Sequence, residues 1–306
     1  MLDYLKKFAK RGLIPKRHMD RHGFEYTVKE LVGMNETAEL ACSWHGKRLD
    51  KSVFGYKTSD TVFILGSGPS INSLSRQDWK QISSCDSIGF NFWYVHDFVP
   101  TIYVFQLSKT HHVRESLLDC LADRHYLYKQ VPFIVRGSDF AKGGFDFSDL
   151  RLSLLKENVV YYLTEYPISS RCSISPSLLF RYMEALGFME HGKLSRCIPK
   201  WRGTIGLLVQ LAYQLGYKKI VLCGVDMNNS HHFWDDEKYA EASSTWNLPK
   251  PGVSNITDST DENISANTVP RYITELNMYF NTKAGVELFV MSKDTVLYPD
   301  IPLYNY

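Results

Sequence analysis

Residues 218–226 read KKIVLCGVD, an apolar run framed by two lysines and closed by a glycine and an aspartate. A short continuous run of this kind fits a strand covered on both faces, as in a parallel sheet. Just before it, TIGLLVQLAYQLG at 204–216 reads as a buried helix with Gly216 as its stop. Upstream, TVFIL at 61–65 repeats the strand pattern and ends in Gly66-Ser67-Gly68-Pro69-Ser70. A helical stretch at 74–82 follows, then strands at 87–92 (SIGFNF) and 101–106 (TIYVFQ). A helix at 113–122, strands at 132–135 (PFIV) and 159–163 (VVYYL), and a helix at 175–188 lead back to the opening stretch. Downstream come a helix at 269–282, a stop at Gly285 and the strand VELFVM at 286–291. Alternation of strand and helix from 61 to 291 predicts an α/β fold with a doubly wound, mostly parallel sheet.

Composition sets the class. The 306 residues are 44% hydrophobic, 14% aromatic and 22% charged, which excludes disorder, collagen and coiled coil. No apolar run approaches the roughly 20 residues of a membrane span. The formal net charge of +2 is too even to argue for nucleic acid. Six cysteines are scattered without a CxxC pair, which reads as reduced, buried thiols in a cytosolic protein and not as a zinc site.

Two segments stand apart from the alternation. Residues 1–55 lack periodicity and read as a basic extension before a catalytic domain at 56–306. Within 1–24, Lys6, Lys7, Lys10, Arg11, Lys16, Arg17 and Arg21 face only Asp3 and Asp20. Leu2, Tyr4, Leu5, Phe8, Leu13 and Ile14 are interleaved with these bases, a pattern suited to peripheral contact with anionic lipid. A solvated arm or a helix packed on the domain fits the same residues. Residues 228–267 are polar without apolar rhythm and follow the carboxyl end of the 218–226 strand. Open α/β sheets place ligands there, so this long segment reads as a lid.

Four constellations carry candidate chemistry. FILGSGPSI at 63–71 is a strand ending in Gly-x-Gly, whose backbone N–H groups suit an anion or a nucleotide. It matches neither the dinucleotide fingerprint nor a Walker loop, and Pro69 removes one donor. Asn91 and Gln106 at strand ends offer carboxamides to a base edge or a sugar hydroxyl. Arg202-Gly203-Thr204 opens a helix, where a hydroxyl, free N–H groups and a guanidinium suit a phosphate, although Thr204 serves equally as a plain N-cap. CGVDMNNSHHFWDD at 223–236 is the richest, gathering Gly224, Asp226, Asn228, His231, His232, Asp235 and Asp236. The two histidines can act as base or phosphate ligand, but adjacent histidines do not readily face one metal ion.

Taken together, GSGPS, Asn91, RGT before a helix and LGYKKIVLCGVD resemble the bacterial CMP-sialic-acid-dependent sialyltransferases of glycosyltransferase family 42. They are similar also to the motility-accessory-factor glycosyltransferases. The resemblance covers roughly 60–295, with 140–200 lacking a clear counterpart. It implies a GT-A-like fold of the sialyltransferase type with no DxD metal site and no cofactor, the CMP-sugar being donor substrate. Gly66, Ser67 and Gly68, with Pro69 and Ser70, would lie against the nucleotide. Asn91 and Gln106 would meet ribose, phosphate or donor sugar, and Thr204 would touch phosphate beside Arg202 and Gly203. Asp226, between Gly224 and Asn228, would fall near the ribose or the lid hinge.

One departure from that pattern bears on the reaction. The family's general base is a histidine three residues before an Asn-Thr that opens the last helix. Here Asn267-Thr268 are present but the histidine position holds Ile264. Candidate replacements are His231 and His232, then Asp261 and Glu262. The resemblance therefore implies an inverting glycosyltransferase moving sialic acid, Kdo or another nonulosonate to a glycan or glycolipid acceptor. Such work belongs to lipopolysaccharide or capsule assembly at the cytoplasmic face of a membrane. A transferase using another nucleotide sugar and a non-catalytic nucleotide- or glycan-binding module are the alternatives.

Overall fold

The computed structural model describes residues 46–108, 110–136, 149–168, 175–185, 187–195, 197–201, 203–228, 231–251 and 268–305. Arg202, Asp261, Glu262 and Ile264, together with residues 1–45, lie outside them.

Eight strands form one sheet: β1 (Lys47–Arg48), β2 (Thr61–Leu65), β3 (Asp86–Phe90), β4 (Ile102–Phe105), β5 (Phe133–Arg136), β6 (Val160–Leu163), β9 (Lys219–Cys223) and β10 (Glu287–Val290). Their order is β1-β6-β5-β4-β3-β2-β9-β10, and every neighbouring pair is parallel. The alternation of strand and helix anticipates this architecture, because parallel neighbours need a crossover between them. From β2 the chain steps outward through β3, β4, β5 and β6, then returns to place β9 on the other flank of β2. The strand order thus reverses between β2 and β9, and ligands of open α/β sheets bind outside the carboxyl ends at such a point.

Strand alternation feeds two cores. Val62, Ile64, Ile220 and Leu222 point to one face with α4 (Pro176–Ala185), α5 (Thr204–Gln214) and α7 (Val269–Ala284). Phe63, Leu65, Val221 and Cys223 point to the other, with α1 (Arg76–Ser83), α2 (His111–Arg124) and α3 (Leu150–Ser153). Helix ends follow local chemistry: Ser75 and Asp78 form a capping box on α1. Thr268 caps α7, and Gly285 ends it at φ 63°, a left-handed conformation that costs glycine little.

Three features depart from the sequence expectations. Residues 47–53, assigned above to the extension, join the domain: β1 pairs with β6, and Val53 is fully buried. A second, two-stranded parallel sheet of β7 (Glu165–Ile168) and β8 (Ile198–Trp201) has no counterpart in the expected elements. The described part of the expected lid, 231–251, is packed: Phe233, Trp234, Trp246 and Leu248 sit in the second core, and α6 (Ala240–Thr245) lies within it. Its polarity hides four anchors in two close pairs, too few to show a period.

Among the described residues no helix is long and apolar enough to cross a membrane. Four described cysteines, Cys85, Cys120, Cys197 and Cys223, are unpaired in disulfide terms. Burial pushes the Cys197 thiol up to about 12 and that of Cys223 far up, which suits inert core residues.

Candidate functional site

The turn after β2 is stitched to the end of β9. Gly66 N–H donates to the Cys223 carbonyl and Gly68 N–H to that of Gly224, each at 2.7 Å. Asp226, buried beneath the turn, accepts from Ser70 N–H at 3.0 Å and from Ser70 Oγ at 2.6 Å. Burial pushes the Asp226 carboxyl up, and the two bonds from Ser70 oppose that rise. The glycines are required for the close approach: a Cβ on Gly66 would lie 2.4 Å from the Gly224 carbonyl oxygen, and one on Gly68 2.3 Å from Asp226 Oδ2. Gly224 has φ 63°, and a Cβ there would meet Ile71 at 2.5 Å.

These bonds alter the sequence reading of the turn. The N–H groups of Gly66, Gly68 and Ser70 are spent on the neighbouring strand end, and Pro69 has none. These three donors therefore form no cradle for an anion, and the glycines make room for the end of β9 and for Asp226. Asp226 is a brace for the turn, since both carboxylate oxygens are engaged by Ser70. Asn228 reaches away from the turn, donating to the Asp294 carbonyl.

At the next strand ends the expected carboxamides are in place. Asn91 closes β3 at φ 54°, a conformation disfavoured for most residues and tolerated by asparagine. The Tyr103 hydroxyl donates to its carbonyl, which holds the bend. Gln106, just past β4, accepts a hydrogen bond from the Thr204 hydroxyl through its Oε1. Two residues chosen separately from the sequence, 98 positions apart, therefore touch. The N-cap of α5 is Gly203, which offers no side-chain cap, and Thr204 is the first helical residue. The hydroxyl thus turns toward Gln106 instead of closing its own helix.

The histidine loop sits on the turn after β2. Phe233 N–H donates to the Ser67 carbonyl at 2.9 Å, and Asn72 Nδ2 donates to the Phe233 carbonyl at 2.8 Å. The His232 ring stacks on Trp234, with centroids 4.2 Å apart and planes 18° from parallel. Burial lowers its pKa, and the neighbouring Asp235 carboxylate opposes that shift. His231 is solvent-facing at 61% side-chain exposure, with Nδ1 3.5 Å from Asp235 Oδ2. Asp235 also accepts from His232 N–H at 2.7 Å and lines a polar cavity of about 380 Å³ with Trp234, Ser243, Ser244, Asn247 and Lys250.

The carboxyl edge of the sheet therefore carries two groups. The glycine turn and histidine loop lie toward the second core, and Gln106 with Thr204 lies toward α5. Asn91 stands on the strand between them. Arg202, Asp261 and Glu262 fall outside the described residues.

A buried charge cluster escaped the sequence reading. Arg136 donates to both oxygens of Glu165 at 2.8 Å, each side chain under 9% exposed, and Lys200 Nζ is 3.6 Å from the same carboxylate. The register pairs Phe105 with Val135, which sets Gln106 and Arg136 at adjacent strand ends. Its one local signal is an arginine closing the apolar run PFIVR. Among the described residues no three His, Cys, Asp or Glu side chains converge as metal ligands.

No family model matches the sequence, and no curated protein matches it. Solved structures similar to the chain are sialyltransferases. The monofunctional alpha-2,3-sialyltransferase Cst-I from Campylobacter jejuni is 15% identical, with a TM-score of 0.36 over 85% of each chain. The sialyltransferase CST-II in complex with a trisaccharide acceptor and CMP is 14% identical, with a TM-score of 0.36 over 80% of this chain and 88% of that one. CstII from Campylobacter jejuni in complex with the substrate analogue CMP-3FNeuAc is 13% identical, with a TM-score of 0.34 over 80% and 86%. Likenesses of this size leave the chemistry to be read from the residues themselves.

Proposed function

We propose that the chain is an inverting, metal-independent glycosyltransferase. It moves a CMP-activated acidic sugar, sialic acid, Kdo or another nonulosonate, to a glycan or glycolipid acceptor. The observation that carries this reading is the seating of the histidine loop on the Ser67 carbonyl, at the point where the strand order reverses. It brings two histidines, a residue type able to transfer a proton, to the glycine turn at the carboxyl edge of the sheet, where open α/β folds bind ligands. Asn91, Gln106 and Thr204 line the neighbouring strand ends and supply neutral donors and acceptors for ribose, phosphate or sugar. The choice of CMP is what the resemblance of the ordered motifs to the CMP-sialic-acid-dependent sialyltransferases implies.

The acceptor oxygen attacks the anomeric carbon, the bond from that carbon to the phosphate oxygen breaks, and CMP leaves with the electron pair. Charge grows on the departing phosphate, so donors fixed in advance at that position accelerate departure. The basic residues of 1–24 would hold the enzyme against anionic lipid at the cytoplasmic face, where glycolipid acceptors are found. Ile264 at the family's histidine position favours a second reading, a binding module that keeps the fold without the chemistry.

A thermal-shift panel with CMP, CDP, UDP, GDP and NAD, with and without EDTA, tests the proposal. A ligand at one hundred times its Kd stabilises by about 2.7 kcal/mol. A selective rise with CMP that EDTA leaves unchanged is the expected result. A shift confined to UDP or GDP replaces the donor, and CMP binding without CMP release from any CMP-sugar favours the binding module.

A further inference from the structure

The backbone that leaves β9 is held by the segment that follows β10. Thr295 Oγ1 donates to the Val225 carbonyl at 2.7 Å, and Val296 N–H donates to the Asp226 carbonyl at 3.0 Å. Asn228 Nδ2 donates to the Asp294 carbonyl, 66 positions away. Residues 294–296 thus form a clasp on 225–228. The clasp is itself fixed: Asp294 N–H donates to Ser292 Oγ at 3.0 Å, Thr295 is buried, and Leu297 and Ile301 lie in the first core.

Within the clasped turn Met227 sits at φ 59°. A left-handed backbone is costly for a methionine, which has a Cβ and no short polar side chain to offset it. Such a conformation persists where the surroundings over-determine it, and here bonds to the residues on both sides of Met227 do so. Two parts of the candidate site depend on the result. Asp226, next to Met227, accepts both bonds from Ser70 that brace the glycine turn. Beyond Asn228 the chain runs to the histidine loop, whose Phe233 N–H reaches the Ser67 carbonyl.

We propose that Thr295 is a positioning residue of the candidate site. With its neighbours it holds Met227 in the left-handed conformation, which aims Asp226 at Ser70 and sets the course of the histidine loop. Thr295 acts through the 225–228 turn and not on the reacting atoms. The consequence for turnover rests on the glycosyltransferase reading; the consequence for the geometry of the turn does not.

The test compares wild type with Thr295→Val, which keeps the branched shape and removes the donor, and with Thr295→Ser, which keeps the donor. Met227→Gly is made in the wild-type and the Thr295→Val backgrounds, because glycine takes the left-handed conformation at little cost. Ile82→Val, at a buried position in α1, controls for lost stability alone. Hydrogen exchange is read at the Ser70 and Phe233 amides, with the amides of β3 as reference. In Thr295→Val both site amides should exchange about tenfold faster or more while those of β3 hold, the pattern of a local opening. Thr295→Ser should stay within about threefold of wild type, and in the Met227→Gly background loss of the donor should matter by less than about threefold.

CMP release from CMP-sialic acid and from CMP-Kdo, with lactose or water as acceptor, is the second readout. Turnover should fall about tenfold or more in Thr295→Val, return in Thr295→Ser, and stay within about threefold of wild type in Ile82→Val. Met227→Val worsens the left-handed strain with the clasp intact and should give the same pattern, which covers a Thr295→Val chain that fails to fold. Site amides in Thr295→Val that exchange within about threefold of wild type, or an equal loss in the Met227→Gly background, overturn the proposal. Wild-type turnover in Thr295→Val overturns it as well. A wild-type protein that releases no CMP from either donor overturns the transferase reading instead, and the exchange pattern alone then decides the clasp.

Discussion

His96 shows how far one half-buried ring sets the behaviour of its surroundings. It stacks on Trp79 and on Trp93, each with centroids 4.7 Å away, and its Nδ1 accepts the Phe98 N–H at 3.0 Å. Burial, the larger effect, lowers its pKa from 6.5 to about 4 despite the nearby Asp97 carboxylate. A histidine whose folded pKa is depressed contributes stability that is fully present above the unfolded value and is lost as pH falls from about 6.5 toward about 4. At 1.36 kcal/mol per pKa unit the loss amounts to about 3 kcal/mol across that window. Urea midpoints at pH 7.5 and 4.5 should therefore converge more closely in His96→Gln than in wild type. An equal acid loss in both proteins would remove His96 as the cause.

The seam between the turn after β2 and the end of β9 depends on glycine at Gly66, Gly68 and Gly224, where two backbones meet with no room for a Cβ. Gly66→Ala must push the Gly224 carbonyl away and weaken the bond from Gly66 N–H to Cys223. Overpacking of this kind costs about 1–3 kcal/mol. Gly55→Ala serves as the control, because a Cβ there meets nothing within 4 Å. Chemical denaturation of the pair should show the loss at Gly66 alone, and CMP should stabilise Gly66→Ala less than wild type. The glycines are plain in GSGPS and in LCGVD, but the contact between the two stretches is not. It exists because β2 and β9 are neighbours, and nothing local in either stretch specifies that pairing.

Across the molecule, the main sheet and the small β7–β8 sheet are joined by buried charge. Arg136 ends β5, Glu165 opens β7, and Lys200 approaches from β8. Ile198 N–H donates to the Thr164 carbonyl at 2.9 Å beside them. Removing the acid's charge alone takes the two-pronged carboxylate from a buried guanidinium, so Glu165→Gln should destabilise by about 3–5 kcal/mol. Replacing Arg136 with Met and Glu165 with Leu together should recover part of that loss, since the guanidinium is removed together with its carboxylate while Lys200 still carries its charge there. Equilibrium unfolding of the single and double variants decides it: a double variant no better than Glu165→Gln would show that the pair contributes more than relief of desolvation.

Much of this was legible in the chain. The strands TVFIL, SIGFNF, TIYVFQ and KKIVLCGVD, and the helices that separate them, announce themselves through short-range periodicity and through Gly216 and Gly285 as stops. Each such signal depends only on neighbours a few residues away. The strands of the small sheet, EYPI and IPKW, were missed because each carries a proline and no alternation, so partner contacts and not propensity make them strands. The packing of 231–251 was missed because four aromatic and aliphatic anchors scattered among polar residues do not form a pattern. The candidate site divides in the same way. Its residue types, Asn91, Gln106, Thr204 and the two histidines, could be chosen from their places at strand and helix ends. Their partners could not. Ser70 meets Asp226 across 156 residues, Thr204 meets Gln106 across 98, and Phe233 N–H finds the Ser67 carbonyl. Those pairings depend on strand order and on the turn from β9, and strand order is settled by which hydrophobic faces close on one another once the whole chain has folded.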